Sequence, residues 1–185
     1  MKRRFALIPA YKPNENLIYF VQSIEARGIE VVVVNDGSGE EYLPLFSQLE
    51  KNSRAKVIHF YVNQGKGAAL KTAFKYIKET FNENNFSVVT ADSDGQHNPN
   101  DIARIAARAS LDEDSLVIGV RNFDGEKVPL RSKLGNKITL KVFQITSGSN
   151  IGDTQTGLRG FSAIHLDNML EISGSRYEYE MNMLM

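Results

Sequence analysis

The sequence has no cysteine, no net charge and no long apolar run. Without cysteine the chain has neither disulfide bonds nor thiolate metal sites nor a cysteine nucleophile, and it is compatible with a reducing cytosol. Its 22 Lys and Arg residues balance 22 Asp and Glu residues, so bulk electrostatics give no reason to expect a nucleic-acid partner. No apolar stretch approaches the roughly 20 residues of a membrane-spanning helix. The apolar stretch after the basic N-terminus breaks at Pro9, which indicates a first strand and not a signal peptide.

The remaining composition is that of an ordinary globular protein, with 42% hydrophobic and 24% charged residues in a chain of 185. That length suits one domain with a substantial core. Short β-branched runs alternate with stretches of helical spacing, which predicts an α/β fold whose mainly parallel sheet is covered by helices on both faces. The predicted strands are Phe5–Ala10, Val31–Val34, Val57–Tyr61, Phe86–Ala91 and Leu116–Val120. The predicted helices are Asn14–Arg27, Glu41–Lys51, Gly67–Phe81 and Asp101–Ala109.

The last third of the chain departs from this alternation. A longer helix is predicted from Val128 to Ile145, followed by a Gly-, Ser- and Asn-rich loop that reaches Asp153. Leu158–Ala163 is predicted to be a strand that could run antiparallel to the others. Tyr177–Met185 has helical character and stops without a capping residue.

Polar, turn-forming clusters follow three of the predicted strands, and ligands of open α/β sheets bind beyond such carboxyl ends. After the fourth strand, Asp92 and Asp94 place two carboxylates one residue apart, where they can converge on one divalent ion. Hard oxygen ligands of this kind suit Mg²⁺ or Mn²⁺. Gln96 could add a carbonyl oxygen and His97 a nitrogen. The alternative is a solvated, Asp-rich turn with no ligand.

Two further features lie close to strand ends. Asp36 follows the second strand, where it could cap a helix or form an Asx turn, or could accept a hydrogen bond from a base or a ribose hydroxyl. The Gly-rich segment 63–70 precedes a helix and could present amides and Lys66 to phosphate. It lacks the spacing of a P-loop, so a helix start that needs close backbone approach is the favoured interpretation.

A basic segment runs from Arg121 to Lys141, with six Lys or Arg residues against two acidic ones. Arg121 and Arg131 are candidates for phosphate contact, because a guanidinium group offers bidentate geometry, whereas the alternative is a solvated helix face. Asp153 could act as a general base or orient an acceptor, or it could be an ordinary turn aspartate.

Seven segments in one order carry a family resemblance that covers nearly the whole chain. They resemble the family 2 glycosyltransferases of the GT-A fold, above all the polyprenyl-phosphate (dolichyl-phosphate-like) mannosyl- and glucosyltransferases. The resemblance implies a Rossmann-like nucleotide-diphospho-sugar transferase with a small antiparallel addition to the sheet, and one catalytic domain over residues 1–185. The matching segments are Ile8–Tyr11, Val33–Ser38, Asn63–Leu70, Asp92–His97, Gly119–Arg121, Asp153–Gly157 and Arg176–Glu180.

On the donor side, the resemblance implies that Pro9, Tyr11 and Asp36 line a nucleoside pocket, with Asp36 reading the uracil or guanine edge. Gly65 and Lys66 would border the same pocket. The implied donor is therefore a UDP- or GDP-linked sugar.

At the metal, Asp92 and Asp94 match the family's D-x-D motif, and Gln96 matches a metal-binding Gln of the dolichyl-phosphate enzymes. The resemblance thus implies Mg²⁺ or Mn²⁺ as cofactor, with Asp92 also facing the donor. Transfer would invert the configuration of the anomeric carbon.

On the acceptor side, Arg121 and Arg131 match arginines that bind phosphate, and Asp153 matches the aspartate beside the acceptor. These three residues are the implied catalytic set. The implied acceptor is a lipid phosphate, which places the enzyme in the cytoplasm at the inner face of the membrane, in cell-envelope biosynthesis. A saccharide hydroxyl in surface polysaccharide synthesis is the alternative acceptor, with Asp153 as base.

Two departures from the family pattern concern the ends of this resemblance. Lys12 and Pro13 stand where the family often has Asn-Glu, so the ribose or base contact of that Glu is lost or moves to Asn14 or Glu15. Family members also continue beyond the helix that contains Glu180, so a chain truncated at its C-terminus is expected.

Three other protein classes share parts of this pattern. A sugar-nucleotide pyrophosphorylase needs a G-x-G-T-R-type loop after the first strand, where this chain has Pro9–Pro13. A dinucleotide-dependent dehydrogenase needs G-x-G-x-x-G at the same place, and that motif is absent from the sequence. A non-catalytic nucleotide-sugar-binding module remains an alternative, although the Asp92 and Asp94 pair argues against it.

Overall fold

The computed structural model describes residues 2–81, 85–119 and 157–185. Arg121, Arg131 and Asp153 lie outside these described residues, as does the helix predicted from Val128 to Ile145. Within the described ranges, no helix has the length and apolar character needed to cross a membrane.

In the described part of the chain, six strands form one sheet in the order β3-β2-β1-β4-β6-β5. The strands β1 to β4 run parallel to one another, whereas β6 is antiparallel to both β4 and β5. This confirms the mainly parallel sheet and its antiparallel addition. The strands are β1 (Arg3–Ala10), β2 (Glu30–Asn35), β3 (Lys56–His59), β4 (Phe86–Thr90), β5 (Val117–Ile118) and β6 (Arg159–Ser162).

Six α-helices and two short 3₁₀ turns are found among the described residues. The four predicted helices of the first 111 residues are present, and the third begins one residue earlier than predicted. The helices are α1 (Asn16–Glu25), α2 (Leu43–Asn52), α3 (Lys66–Thr80), α4 (Pro99–Leu111), α5 (Leu166–Glu171) and α6 (Glu178–Asn182). The 3₁₀ turns are Glu40–Tyr42 and Ala163–His165.

Two apolar cores lie on opposite faces of the sheet. Buried side chains of α1, α2 and α4 form the first core, and those of α3, α5 and α6 form the second. Val31 and Val33 of β2 belong to the first core, and Val32 and Val34 to the second. Because successive side chains of a strand point to opposite faces, a strand covered on both sides is apolar at every position. This explains the uninterrupted run of valines.

The turn between β4 and α4 has a defined end. The side chain of Asn98 accepts a hydrogen bond from the backbone N–H of Asn100 at 2.9 Å, and Pro99 occupies the first turn of α4. Both features are typical of a helix N-terminus. They confine the segment Asp92–His97 to a short loop at the carboxyl end of β4.

The sheet order creates a crevice beside β1. The chain leaves β1 for β2 and β3 on one side and returns to β4 on the other. At such a switch in strand order, the connections diverge and leave space at the carboxyl ends of the strands.

The C-terminal segment packs directly on the start of α3. The N–H of Ala68 donates to the carbonyl of Ser175 at 2.8 Å. A Cβ atom on Gly67 would lie 2.5 Å from Cβ of Tyr179, and one on Gly65 would lie 2.6 Å from Cγ of Arg176. These glycines confirm the close backbone approach predicted for this helix start.

We predict that Gly67→Ala lowers the free energy of unfolding by about 1–3 kcal/mol, because the added methyl group overpacks the contact with Tyr179. Urea denaturation measures this change. Lys75→Ala, on the exposed face of the same helix, is the control and is expected to change stability by at most about 0.5 kcal/mol. A stabilised Gly67→Ala variant, as helix propensity alone predicts, would contradict the close contact.

Candidate active site

A cleft of about 510 Å³ opens at the carboxyl ends of β1, β2 and β4. It contains every residue predicted to bind the donor and two of the three predicted metal ligands. Gln96 lies in the same turn, exposed, but is not among the described residues that line the cleft. The predicted residues that line the cleft are Pro9, Tyr11, Asp36, Gly65, Lys66, Asp92 and Asp94.

Asp36 is buried and holds the loop that precedes α3. Its carboxylate accepts hydrogen bonds from the N–H of Gln64 at 2.7 Å, from the N–H of Gly65 at 3.0 Å and from Nδ2 of Asn63 at 2.9 Å. The Asp36 carboxylate therefore neither caps a helix nor forms an Asx turn in its own loop, the two local structures considered from the sequence. It holds a loop almost thirty residues further along the chain.

Three more hydrogen bonds order this side of the cleft, one within the loop after β2 and two between neighbouring segments. Asn35 Oδ1 accepts a hydrogen bond from the N–H of Ser38 at 3.0 Å, and Asn35 Nδ2 lies 3.1 Å from Nδ1 of His59. The hydroxyl of Ser38 accepts a hydrogen bond from the N–H of Lys12 at 2.9 Å. The loops after β1 and β2 and the end of β3 thus brace one another and form one wall of the cleft.

Asp92 lies between the side chains of Lys66 and His97. Its Oδ1 is 2.5 Å from Nζ of Lys66, and its Oδ2 is 3.0 Å from Nε2 of His97. Burial raises the pKa of Asp92, but the hydrogen bond with His97 and the charge of Lys66 outweigh it and hold that pKa below its ordinary value. Asp92 is therefore an ionised carboxylate across the physiological range.

Gly157 lies behind the Asp92 carboxylate. A Cβ atom at residue 157 would be 2.6 Å from both carboxylate oxygens, so any larger residue there would displace Asp92. The carbonyl of Gly157 accepts a hydrogen bond from Oγ1 of Thr90 at 2.7 Å, which fixes it to the last residue of β4. Gly157 is the described end of the motif that begins at Asp153.

Lys66, the first residue of α3, contacts a second carboxylate. Its Nζ lies 2.8 Å from Oε2 of Glu180, in addition to the contact with Asp92. Burial lowers the pKa of Lys66, but Glu180 and Asp92 together raise it above its ordinary value. The lysine is thus held as a cation on the floor of the cleft.

The second aspartate of the pair is more exposed. Oδ1 of Asp94 accepts a hydrogen bond from the N–H of Gln96 at 3.0 Å, and the residue lines the cleft. No group of three or more Asp, Glu or His side chains in the described ranges is arranged to hold a metal ion. Mg²⁺ is commonly bound by one or two carboxylates together with substrate phosphates, and Asp92 with Asp94 can supply that minimal set.

The charge of the cleft also fits a divalent ion. Among its described lining residues, four carboxylates face two cationic groups, which leaves a formal excess of two negative charges. A divalent cation would balance this excess. The carboxylates are Asp36, Asp92, Asp94 and Glu180, and the cationic residues are Lys66 and Arg176.

The C-terminal segment contributes lining residues to which the sequence assigned no role. Arg176, Tyr177 and Glu180 face the cleft, and Nη1 of Arg176 lies 3.3 Å from Oδ1 of Asn63. The sequence signal for these residues was that Arg176–Glu180 is one of the seven segments that carry the family resemblance. The place of this segment in the cleft depends on the packing of α6 against α3.

A family model described as glycosyl transferase family 2 matches residues 5–169. The chain belongs to this family. The expected resemblance and the expected glycosyltransferase class are therefore confirmed.

Two relatives of this glycosyltransferase act on named lipid phosphates. UDP-N-acetylglucosamine–dolichyl-phosphate N-acetylglucosaminyltransferase of Methanococcus voltae is 28% identical over 94% of this chain and 75% of its own length. Undecaprenyl-phosphate 4-deoxy-4-formamido-L-arabinose transferase of Salmonella paratyphi A is 25% identical over 92% of this chain. The chain spans about half the length of this second relative.

Solved structures support the GT-A fold. The crystal structure of S. aureus TarS 1-349 in complex with UDP matches with a TM-score of 0.56 and 18% sequence identity. The match covers 97% of this glycosyltransferase and 53% of the TarS chain. The predicted fold class is thereby confirmed.

We predict that Asp36→Asn lowers the free energy of unfolding by roughly 2 kcal/mol, because the amide cannot accept all the hydrogen bonds of the 63–65 loop. Urea denaturation measures the loss, and amide hydrogen exchange at Gln64 and Gly65 should accelerate. Asp114→Asn, at an exposed turn position, is the control and should leave both readouts unchanged. Unaltered exchange at Gln64 and Gly65 in Asp36→Asn would show that the carboxylate does not hold the loop.

Proposed function

We propose that this protein is a metal-dependent, inverting glycosyltransferase that moves a sugar from a UDP- or GDP-sugar to a polyprenyl phosphate. The observation that carries the proposal is the position of Asp92 and Asp94 in the same cleft as Asp36, at the switch in strand order. Residues 1–185 would act as one catalytic domain.

The donor would bind along the wall formed by the braced loops. Pro9 and Tyr11 offer contact surface to a nucleoside, beside the polar atoms of Asp36 and Asn63. The N-terminus of α3 faces the same cleft, and helix N-termini favour phosphate groups. The matched TarS structure is a complex with UDP, which is consistent with a nucleoside diphosphate as the ligand of this fold.

Asp92 and Asp94 would hold Mg²⁺ or Mn²⁺, with Gln96 as the further predicted ligand. When bound, such an ion supplies Lewis-acid stabilisation of the departing nucleoside diphosphate. Asp92 is already ionised, so it needs no deprotonation to act as a ligand, and the absence of a side chain at Gly157 leaves room for its carboxylate.

The acceptor would be a phosphate monoester, which is already ionised near neutral pH and needs no strong base. Its oxygen would attack the anomeric carbon as the bond from that carbon to the diphosphate breaks, which inverts the configuration. Arg121 and Arg131 would position the phosphate and Asp153 would orient the acceptor. The polyprenyl-phosphate substrates in the names of both relatives support this assignment. The enzyme would then work from the cytoplasm on the inner face of the membrane.

Nucleotide binding tests the donor assignment. In calorimetry with UDP, GDP, CMP and ATP, we expect UDP or GDP to bind about tenfold more tightly with Mn²⁺ than without it. Asp94→Asn should abolish that gain, because it removes a carboxylate ligand, whereas Asp114→Asn should retain it. Binding that does not depend on the metal in the unaltered protein would count against a D-x-D site.

Transfer assays test the acceptor. We expect sugar transfer to polyprenyl phosphate and no transfer to free saccharides under the same conditions, because the acceptor side is predicted to offer Arg121 and Arg131 to a phosphate. Product formation is followed with a labelled donor. Transfer to saccharides alone would reject the lipid-phosphate acceptor and favour Asp153 as a base.

A further inference from the structure

Three charged side chains form a connected line across the floor of the cleft. Oε2 of Glu180 lies 2.8 Å from Nζ of Lys66, and the same Nζ lies 2.5 Å from Oδ1 of Asp92. The side chains of Lys66 and Glu180 are 16% and 11% exposed, whereas that of Asp92 is 33% exposed. The lysine thus lies between one deeply buried carboxylate and one that reaches into the cleft.

Glu180 is the fixed end of this line. Its carbonyl accepts a hydrogen bond from the guanidinium of Arg159, and the adjacent Tyr179 donates its hydroxyl to the carbonyl of Met169 at 2.6 Å. Tyr179 also packs against Gly67, one residue after Lys66. The backbone of Glu180 is therefore held on several sides, and its carboxylate stays beside the start of α3.

Lys66 has the most flexible side chain of the three. Its ammonium group carries three donors on a four-carbon stem, so it can change direction while it stays hydrogen-bonded to Glu180 and the backbone stays in place. The second oxygen of Glu180, Oε1, is buried and has no hydrogen-bond partner among the described residues. Glu180 therefore retains acceptor capacity for the lysine in more than one position.

We propose that Lys66 is a built-in counter-ion of Asp92 at the metal site and that Glu180 is the positioning residue of Lys66. Lys66 neutralises Asp92 while no divalent ion is bound and, held by Glu180, turns its ammonium to the donor diphosphate once Asp92 ligates an ion. This inference rests on the proposed function.

The charges explain why such an arrangement is useful. An ionised, partly buried carboxylate without a partner is costly, and Lys66 compensates Asp92 in the ion-free protein. With a divalent ion on Asp92, the ammonium of Lys66 would have to leave Oδ1 of Asp92 and, without a diphosphate, would remain close to the ion. A diphosphate supplies negative charge to both cations, so ion and nucleotide should each strengthen the binding of the other. The raised pKa of Lys66 is consistent with its role as a permanent cation.

The first test measures Mn²⁺ binding without nucleotide, by calorimetry and by the electron paramagnetic resonance signal of free Mn²⁺. Lys66→Met should tighten Mn²⁺ binding about threefold to tenfold, because the competing cation is gone. The same variant should bind UDP in the presence of Mn²⁺ about tenfold more weakly, because a phosphate partner is lost. Lys75→Met, exposed on the same helix, is the matched control and should change neither value.

These two changes have opposite signs, which a merely structural role of Lys66 would not produce. Unchanged or weaker Mn²⁺ binding in Lys66→Met would overturn the proposal. Unchanged UDP binding in Lys66→Met would overturn the second part of the proposal, namely that the ammonium turns to the diphosphate.

The second test concerns Glu180 and uses thermal unfolding of the ligand-free protein. Lys66→Met should lower the melting temperature, because it leaves Glu180 buried without its cation. The double variant Lys66→Met, Glu180→Gln should recover most of that loss, since a neutral amide needs no counter-charge. Glu79→Gln, at an exposed position of α3, is the control and should not rescue Lys66→Met. Additive losses in the double variant would exclude Glu180 as the positioning residue.

The single variant Glu180→Gln completes the cycle. With Glu180 neutral, Lys66 pairs with Asp92 alone, so Mn²⁺ without nucleotide should bind about threefold more weakly. An unchanged or higher Mn²⁺ affinity of Glu180→Gln would contradict the proposal that Glu180 holds Lys66 in position. If the unaltered protein binds neither Mn²⁺ nor UDP, the proposed function fails together with this inference. If it binds both and the variants behave as the controls do, this inference fails alone.

Discussion

The parallel pairing of β1 with β2 on one side and with β4 on the other is the constraint on which the structure depends. It covers both edges of β1 and requires apolar layers on both faces of the sheet, which the helices supply. It also brings three strand ends to one edge, so that Tyr11, Asp36 and Asp92 surround one cleft. The connections diverge from β1, and the cleft lies between them.

Asp36 and Asp92 both follow the ends of parallel strands, but they make different contacts because their neighbours differ. Asp36 meets backbone amides of the loop before α3 and uses its carboxylate to hold them. Asp92 meets the side chains of Lys66 and His97, which leave it ionised at the open side of the cleft. One carboxylate therefore holds the wall of the cleft, and the other is a charged group that lines it.

The C-terminal segment and the start of α3 meet at this site. The close approach at Gly65 and Gly67 lets the C-terminal segment pack on the start of α3, and Glu180 thereby reaches Lys66. A glycosyltransferase cleft that was expected to be built from strand ends thus also depends on a helix near residue 180. The charge balance of the cleft includes this last helix as well.

Much of the fold followed from local patterns in the sequence. Apolar periodicity determined the strands β1 to β4, the helices α1 to α4 and the late strand β6, and turn chemistry placed Asp92 and Asp94 after β4. Helix α5 was missed because its six residues are too few to show a helical period. Only the tertiary structure decided that Asp36 holds the 63–65 loop, that Gly157 lies behind Asp92 and that Arg176 reaches Asn63, 113 residues away. These contacts join residues far apart in the chain, and a local pattern of residue types carries no information about which distant segments pack together.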